Sequence, residues 1–111
     1  MNQPINLHLV LTRHWYDETA SGTKRIEYRV MTKKNDDGTV RQSKWARLIW
    51  AQRDLTKTVT FSRAMTKTTQ RFAVVKIDIG PCPIPGWDGD FYRVHFEDFK
   101  TNTPGDDAIN S

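Results

Sequence analysis

A single cysteine, Cys82, has no partner for an internal disulfide, so nothing in the chain calls for an oxidising compartment. It also has no base beside it in sequence, which argues against reactive-thiol chemistry. Long apolar runs are missing, and none approaches the roughly 20 residues that span a bilayer. Met1-Asn2-Gln3-Pro4 lacks the basic and apolar character of a secretory leader, so a soluble cytoplasmic protein without membrane association is expected. His8, His14 and His95 form no His-x-x-x-His pair and there is no Cys-x-x-Cys, so neither a metal site nor a cofactor is expected. The absence of a glycine-rich phosphate loop argues against a nucleoside triphosphatase.

What is present is one domain's worth of chain, 111 residues, with an uneven charge. Residues 24–76 hold fourteen Lys or Arg against four acids, and residues 77–111 hold two against seven. The net charges of these parts are +10 and −5. Such asymmetry fits a basic surface that attracts phosphate, and equally a solvated surface whose charges interleave on folding.

The pattern predicts an α+β order without repeats. Ile5, Leu7, Leu9 and Leu11 alternate with Asn6, His8 and Val10 as a half-buried strand. Thr12 is placed to cap a short helix over 13–21, which Gly22 ends. A second strand covers 24–30. Residues 33–38, Lys-Lys-Asn-Asp-Asp-Gly, have turn chemistry and read as a mobile loop or a tight hairpin. A second helix is predicted over 41–53, with Trp45, Leu48, Ile49 and Gln52 on one stripe and Arg41, Lys44, Arg47 and Arg53 largely elsewhere. Strands come next at 58–63, 72–79 and 91–97, rich in β-branched and aromatic residues, with Ala73, Val75, Ile77 and Ile79 alternating. Residues 101–111 have the composition of a flexible tail, leaving 1–100 as the domain.

Two connections carry potential chemistry. Residues 64–71 are hydroxyl-rich and basic, a soluble loop or a set of donors for a phosphate backbone. Residues 80–90 are stiffened by Pro81, Pro83 and Pro85, and hold Trp87 either as a stacking platform or as a plug for one end of the fold.

The second strand is the most informative stretch. Alternation places Ile26, Tyr28 and Val30 on one face and Arg25, Glu27 and Arg29 on the other. Glu27 and Arg29 then lie roughly 6–7 Å apart along the strand. A carboxylate between Lys24 and Arg29 can orient both for a polar base or phosphate, or serve acid–base chemistry. The same residues also make sense as a salt-bridge ladder on an exposed strand. His95 shares strand parity with Arg93 and Glu97, either as a general base reaching the same cleft or as an ordinary surface histidine.

The spacing Gly22-x-Lys24-x-x-Glu27-x-Arg29 resembles the signature of the ASCH family, small PUA-like β-barrels related to RNA-modification modules. An apolar strand, Leu7 to Leu11, and a helix ending in Tyr16-Asp17 precede the glycine. A tryptophan-bearing helix, Trp45 to Trp50, and Phe61-Ser62-Arg63 come after it, so the resemblance spans about residues 5–98. It implies a partly closed barrel of about five or six strands with two flanking helices, and a cleft beside the second strand that takes RNA or a nucleotide. Some members are amidohydrolases of acylated cytidines, with a threonine nucleophile where this chain has Glu27; Thr23 would lie on the opposite face of the chain from such a nucleophile. Members with glutamate here are linked to nucleic-acid binding or nuclease activity.

The expected function is therefore binding of RNA, single-stranded nucleic acid or a nucleotide. Lys24 and Arg29 would contact phosphate or base, Glu27 would orient them, Arg63, Lys67 and Arg71 would extend the path, and Trp87 would add a stacking surface. Alternatives are a hydrolase of modified nucleosides or weak ribonuclease using Lys24 and Glu27 in acid–base roles, and a module that meets an acidic protein. Oligomeric state is left open.

Overall fold

The structure, a computed structural model, describes residues 3–22 and 24–99. Thr23 and the tail 101–111 lie outside the described residues. In chain order the elements are β1 (Ile5–Leu11), α1 (Arg13–Ala20), β2 (Ile26–Val30), β3 (Thr32–Lys34), β4 (Val40–Gln42), α2 (Lys44–Ala51), β5 (Thr56–Arg63), β6 (Thr69–Pro81) and β7 (Asp90–Glu97). Five strands form one sheet in the order β1-β5-β6-β7-β2, and β3 pairs with β4. The sheet curls into a half-barrel, an α+β fold of the kind expected.

Alternation drives the curl. In β1, Leu7, Leu9 and Leu11 are buried while Asn6, His8 and Val10 are exposed. The buried sides of β5, β6 and β7 meet them with Phe61, Phe72 and Phe96, whose ring centroids lie 4.9–5.9 Å apart. Val59 and Val94 are fully covered beside these rings. Burying each such side chain contributes about 1.5–3 kcal/mol. β1 and β2 are the free edges, and the Arg29 Nη2 donates across the opening to the Val10 carbonyl at 3.2 Å.

The helix α1 packs on β1 and β5 through Tyr16. Thr12 caps its start, and Gly22 lies just past its end at φ +90°, a conformation that glycine adopts without strain. Arg25 then ties the helix to the core: its Nη1 donates to the Thr19 carbonyl at 2.7 Å, and its guanidinium lies 5.2 Å from the Phe72 centroid.

Three expectations need correction. The second helix covers only Lys44–Ala51, because Val40–Gln42 pairs with Thr32–Lys34 as a hairpin and Ser43 caps the helix start. Its buried stripe is Ala46 and Ile49, with Trp50 packed on the core, so Trp45 and Leu48 face outward. The strand expected at 72–79 runs from Thr69, because the polar Thr69, Gln70 and Arg71 continue the hairpin register opposite Ser62, Phe61 and Thr60. A bulge between Val74 and Lys76 also breaks the alternation of Ala73, Val75, Ile77 and Ile79: Val74 and Ile77 pack inward and Val75 is exposed.

A candidate ligand cleft at the β2 edge

Strand β2 pairs antiparallel with β7, setting Glu27 opposite Val94 and Arg29 opposite Tyr92. Opposed residues share a face, so the charged side of β2 is the one turned toward the core, while Ile26 and Tyr28 share the outer face with His95 and Arg93. The set is therefore not a ladder on an exposed strand. The side chains of Lys24 and Glu27 are only 10% and 9% exposed.

Glu27 sits between two cations. Its Oε1 accepts from the Lys24 ammonium, and its Oε2 pairs with the Arg29 Nη2 at 2.9 Å. The Arg29 Nε is buried and has no hydrogen-bond partner among the described residues. A desolvated carboxylate held this way keeps acceptor capacity, because each oxygen has a second lone pair.

Lys24 and Glu27, but not Arg29, lie at the wall of a cavity of about 30 Å³ that is also lined by Trp15, Tyr28, Ile84 and Trp87. That is room for about one water. Trp15, Lys24, Tyr28 and Ile84 also line a groove of about 270 Å³ that extends past Glu18 and Pro83. Trp87 meets Trp15 edge-on at 6.4 Å and Phe91 at 5.8 Å, and is 38% exposed. It thus forms part of the cleft wall. Gly86 and Gly89, at φ +87° and +83°, turn the chain on either side of it.

The remaining predicted residues are not all gathered here. Arg63 lies on the core side at the end of β5, where it makes a two-pronged pair with Asp17 at 3.0 and 3.2 Å. That hydrogen bonding lowers the Asp17 pKa and raises that of Arg63. Lys67 is exposed in the β5–β6 turn and has no carboxylate partner among the described residues. Arg71 is on the outer face: its Nη2 donates to the Thr58 hydroxyl at 3.3 Å and its guanidinium lies 5.9 Å from the Phe99 centroid. A path from Glu27 through Arg63 to Arg71 would have to pass from one side of the sheet to the other.

His95 is also turned away from Glu27. Its Nε2 lies 3.0 Å from Asp78, whose two oxygens accept from Arg93 at 2.8 and 2.9 Å. Gly80 makes room for this pair, since a Cβ there would lie 2.4 Å from the Arg93 Cζ. The Arg93 guanidinium, with His95 adding to it, holds the Asp78 carboxyl far below the usual carboxylate range. A depressed folded-state pKa stabilises above the unfolded value near 4 and loses that effect as pH falls further. Asp78→Asn is therefore expected to lower stability by about 1–2 kcal/mol at pH 7, the pair being partly solvated. The deficit should shrink as pH drops below about 4. Denaturant titrations at pH 7 and at acid pH measure it; a deficit equal at both would rule out the ionic origin.

Trp15, Tyr28 and Ile84 escaped the sequence reading as cleft residues, although Trp15 stands in the short helix and Ile84 between the prolines. The sequence distance of Trp15 and Ile84 from Lys24 and Glu27 is closed only by the fold, whereas Tyr28 adjoins Glu27 and alternation sets it on the opposite face of the strand. Among the described residues no group of three or more His, Cys, Asp or Glu is placed to hold a metal ion, and no helix is long and apolar enough to cross a membrane. Comparison of the chain with protein-family models, curated proteins and solved structures finds no significant match.

Proposed function

We propose that the chain is a cytoplasmic ASCH-like, PUA-related module that binds single-stranded RNA or a nucleotide in the cleft beside β2. The observation that carries this reading is the buried Glu27, held between Lys24 and Arg29 at the wall of a cavity bounded by Trp15 and Trp87. A nucleobase needs a flat apolar surface and a few directed polar groups. The indoles supply the surface, and Glu27 is positioned to accept from an exocyclic amine. Lys24 and Arg29 add positive charge for a phosphate or a base carbonyl. Since the cavity holds about one water, the base would lie in the wider groove with its polar edge toward Glu27.

Hydrolysis of an acylated nucleoside ranks second. Both Glu27 oxygens are engaged by cations, an arrangement suited to accepting hydrogen bonds, and Glu27 occupies the place of a threonine nucleophile. An acidic protein partner ranks third.

The test is a titration with a ten-nucleotide single-stranded RNA at two salt concentrations. With about three phosphates neutralised, the slope of log affinity against log salt should be about −2, a loss of roughly tenfold to thirtyfold between about 50 and about 200 mM. No binding at low salt, or binding indifferent to salt, would refute the reading and move the acidic protein partner ahead.

A further inference from the structure

The outward face of α2 is not used by the cleft, and its composition is unusual. Residues 41–53 hold Arg41, Lys44, Arg47 and Arg53 and no carboxylate. Trp45 and Leu48 are 50% and 44% exposed, and Lys44, Arg47, Leu48 and Ala51 line a surface groove of about 290 Å³. Lys44 and Arg47 have no carboxylate partner among the described residues, whereas Lys24, Arg25, Arg29, Arg63, Lys76 and Arg93 each have one. An exposed indole at one margin of a helix face that also presents two uncompensated cations offers a base-stacking surface and phosphate contacts to a strand crossing that face.

The helix is also tied to the far end of β2 and to its neighbour β7. The Ser43 N–H at its start donates to the Met31 carbonyl just past β2, at 3.1 Å. Trp50 stacks at 5.5 Å on Tyr92, the residue opposite Arg29. We infer that α2 is a second contact for the strand that occupies the cleft: Trp45 stacks one base, and Lys44 and Arg47 hold flanking phosphates. This rests on the RNA-binding reading above. The uncompensated positive charge of Lys44 and Arg47 favours a nucleic-acid strand over other occupants.

The experiment compares a nucleoside 5′-monophosphate, which reaches only the cleft, with the ten-nucleotide RNA. Trp45→Ala is expected to weaken RNA binding about tenfold and leave mononucleotide affinity unchanged, with Trp45→Phe restoring most of the loss. The double variant Lys44→Glu/Arg47→Glu should weaken RNA binding comparably and make the salt slope shallower by about 1.4. All three positions are solvent-facing, so unchanged thermal midpoints should accompany these effects. Wild-type RNA affinity in both Trp45→Ala and the double variant would overturn the inference, while loss of both ligands in Glu27→Gln would still uphold the cleft. Failure of the wild type to bind either ligand would bring down the cleft reading itself. Unchanged RNA binding combined with reduced binding to phosphatidylserine vesicles would overturn the inference in favour of a membrane contact.

Discussion

Glu27→Gln is expected to lower folding stability by about 2–4 kcal/mol, because it leaves Lys24 and Arg29 without their counter-charge in a largely desolvated place. For a domain of this size that is a drop in Tm of roughly 10–20 °C. A fully exposed strand face would have predicted about 1 kcal/mol or less. The same substitution should weaken nucleotide binding per folded molecule by at least about tenfold, since a charged acceptor becomes a neutral amide. Stability and function separate in the triple variant Lys24→Met/Glu27→Leu/Arg29→Met, which removes all three charges together. Its stability should recover most of the loss while binding stays weak. Recovery of binding along with stability would reduce the set to a scaffold.

Trp87→Ala is expected to lower affinity for the ten-nucleotide RNA by about tenfold to thirtyfold without changing the salt slope, because stacking releases no counterions. Trp87 is 38% exposed and touches Trp15 and Phe91 at the cleft rim, so thermal stability should fall far less than in Glu27→Gln. A variant that loses several kcal/mol of stability and keeps its affinity would show that Trp87 is a plug only.

Much of the fold was legible because period-2 alternation in β1 and β7 directly encodes which side is buried. Gly22 likewise marked the end of α1. The bulge at Val74–Lys76 was not legible, since an extra residue on one strand leaves no mark in composition. Helix α2 misled for a different reason: Trp45 and Leu48 lie at helical spacing with Ile49, and hydrophobicity alone cannot distinguish a core stripe from an exposed one. The charged face of β2 was recognised as a unit, but its inward direction is set by the long-range register with β7, which puts Glu27 opposite the buried Val94 and Arg29 opposite the buried Tyr92. Similarly, Arg71 and His95 were placed by proximity in sequence or by parity, and the pairing of β6 with β5 and of β7 with β2 puts them on the outer face.

The charge asymmetry resolves in both directions. Arg25 reaches Asp98 at 3.2 Å, joining the basic and acidic parts of the chain, while Lys44, Arg47 and Lys67 keep their charge uncompensated by any carboxylate among the described residues. Net charge alone would not have told these groups apart.

The most direct test of the cleft is a titration of protein labelled with ¹⁵N in its indoles, monitored by NMR, against the 5′-monophosphates of cytidine, uridine, adenosine and guanosine. The four tryptophans report from different places: Trp15 and Trp87 at the cleft, Trp50 stacked on Tyr92, and Trp45 on the outer face of α2. A nucleotide-binding cleft predicts saturable shifts of the Trp15 and Trp87 signals with at least one nucleotide, little movement of Trp45 and Trp50, and loss of these shifts in Glu27→Gln. Indifference of Trp15 and Trp87 to every nucleotide, or shifts confined to Trp45 and Trp50, would contradict it.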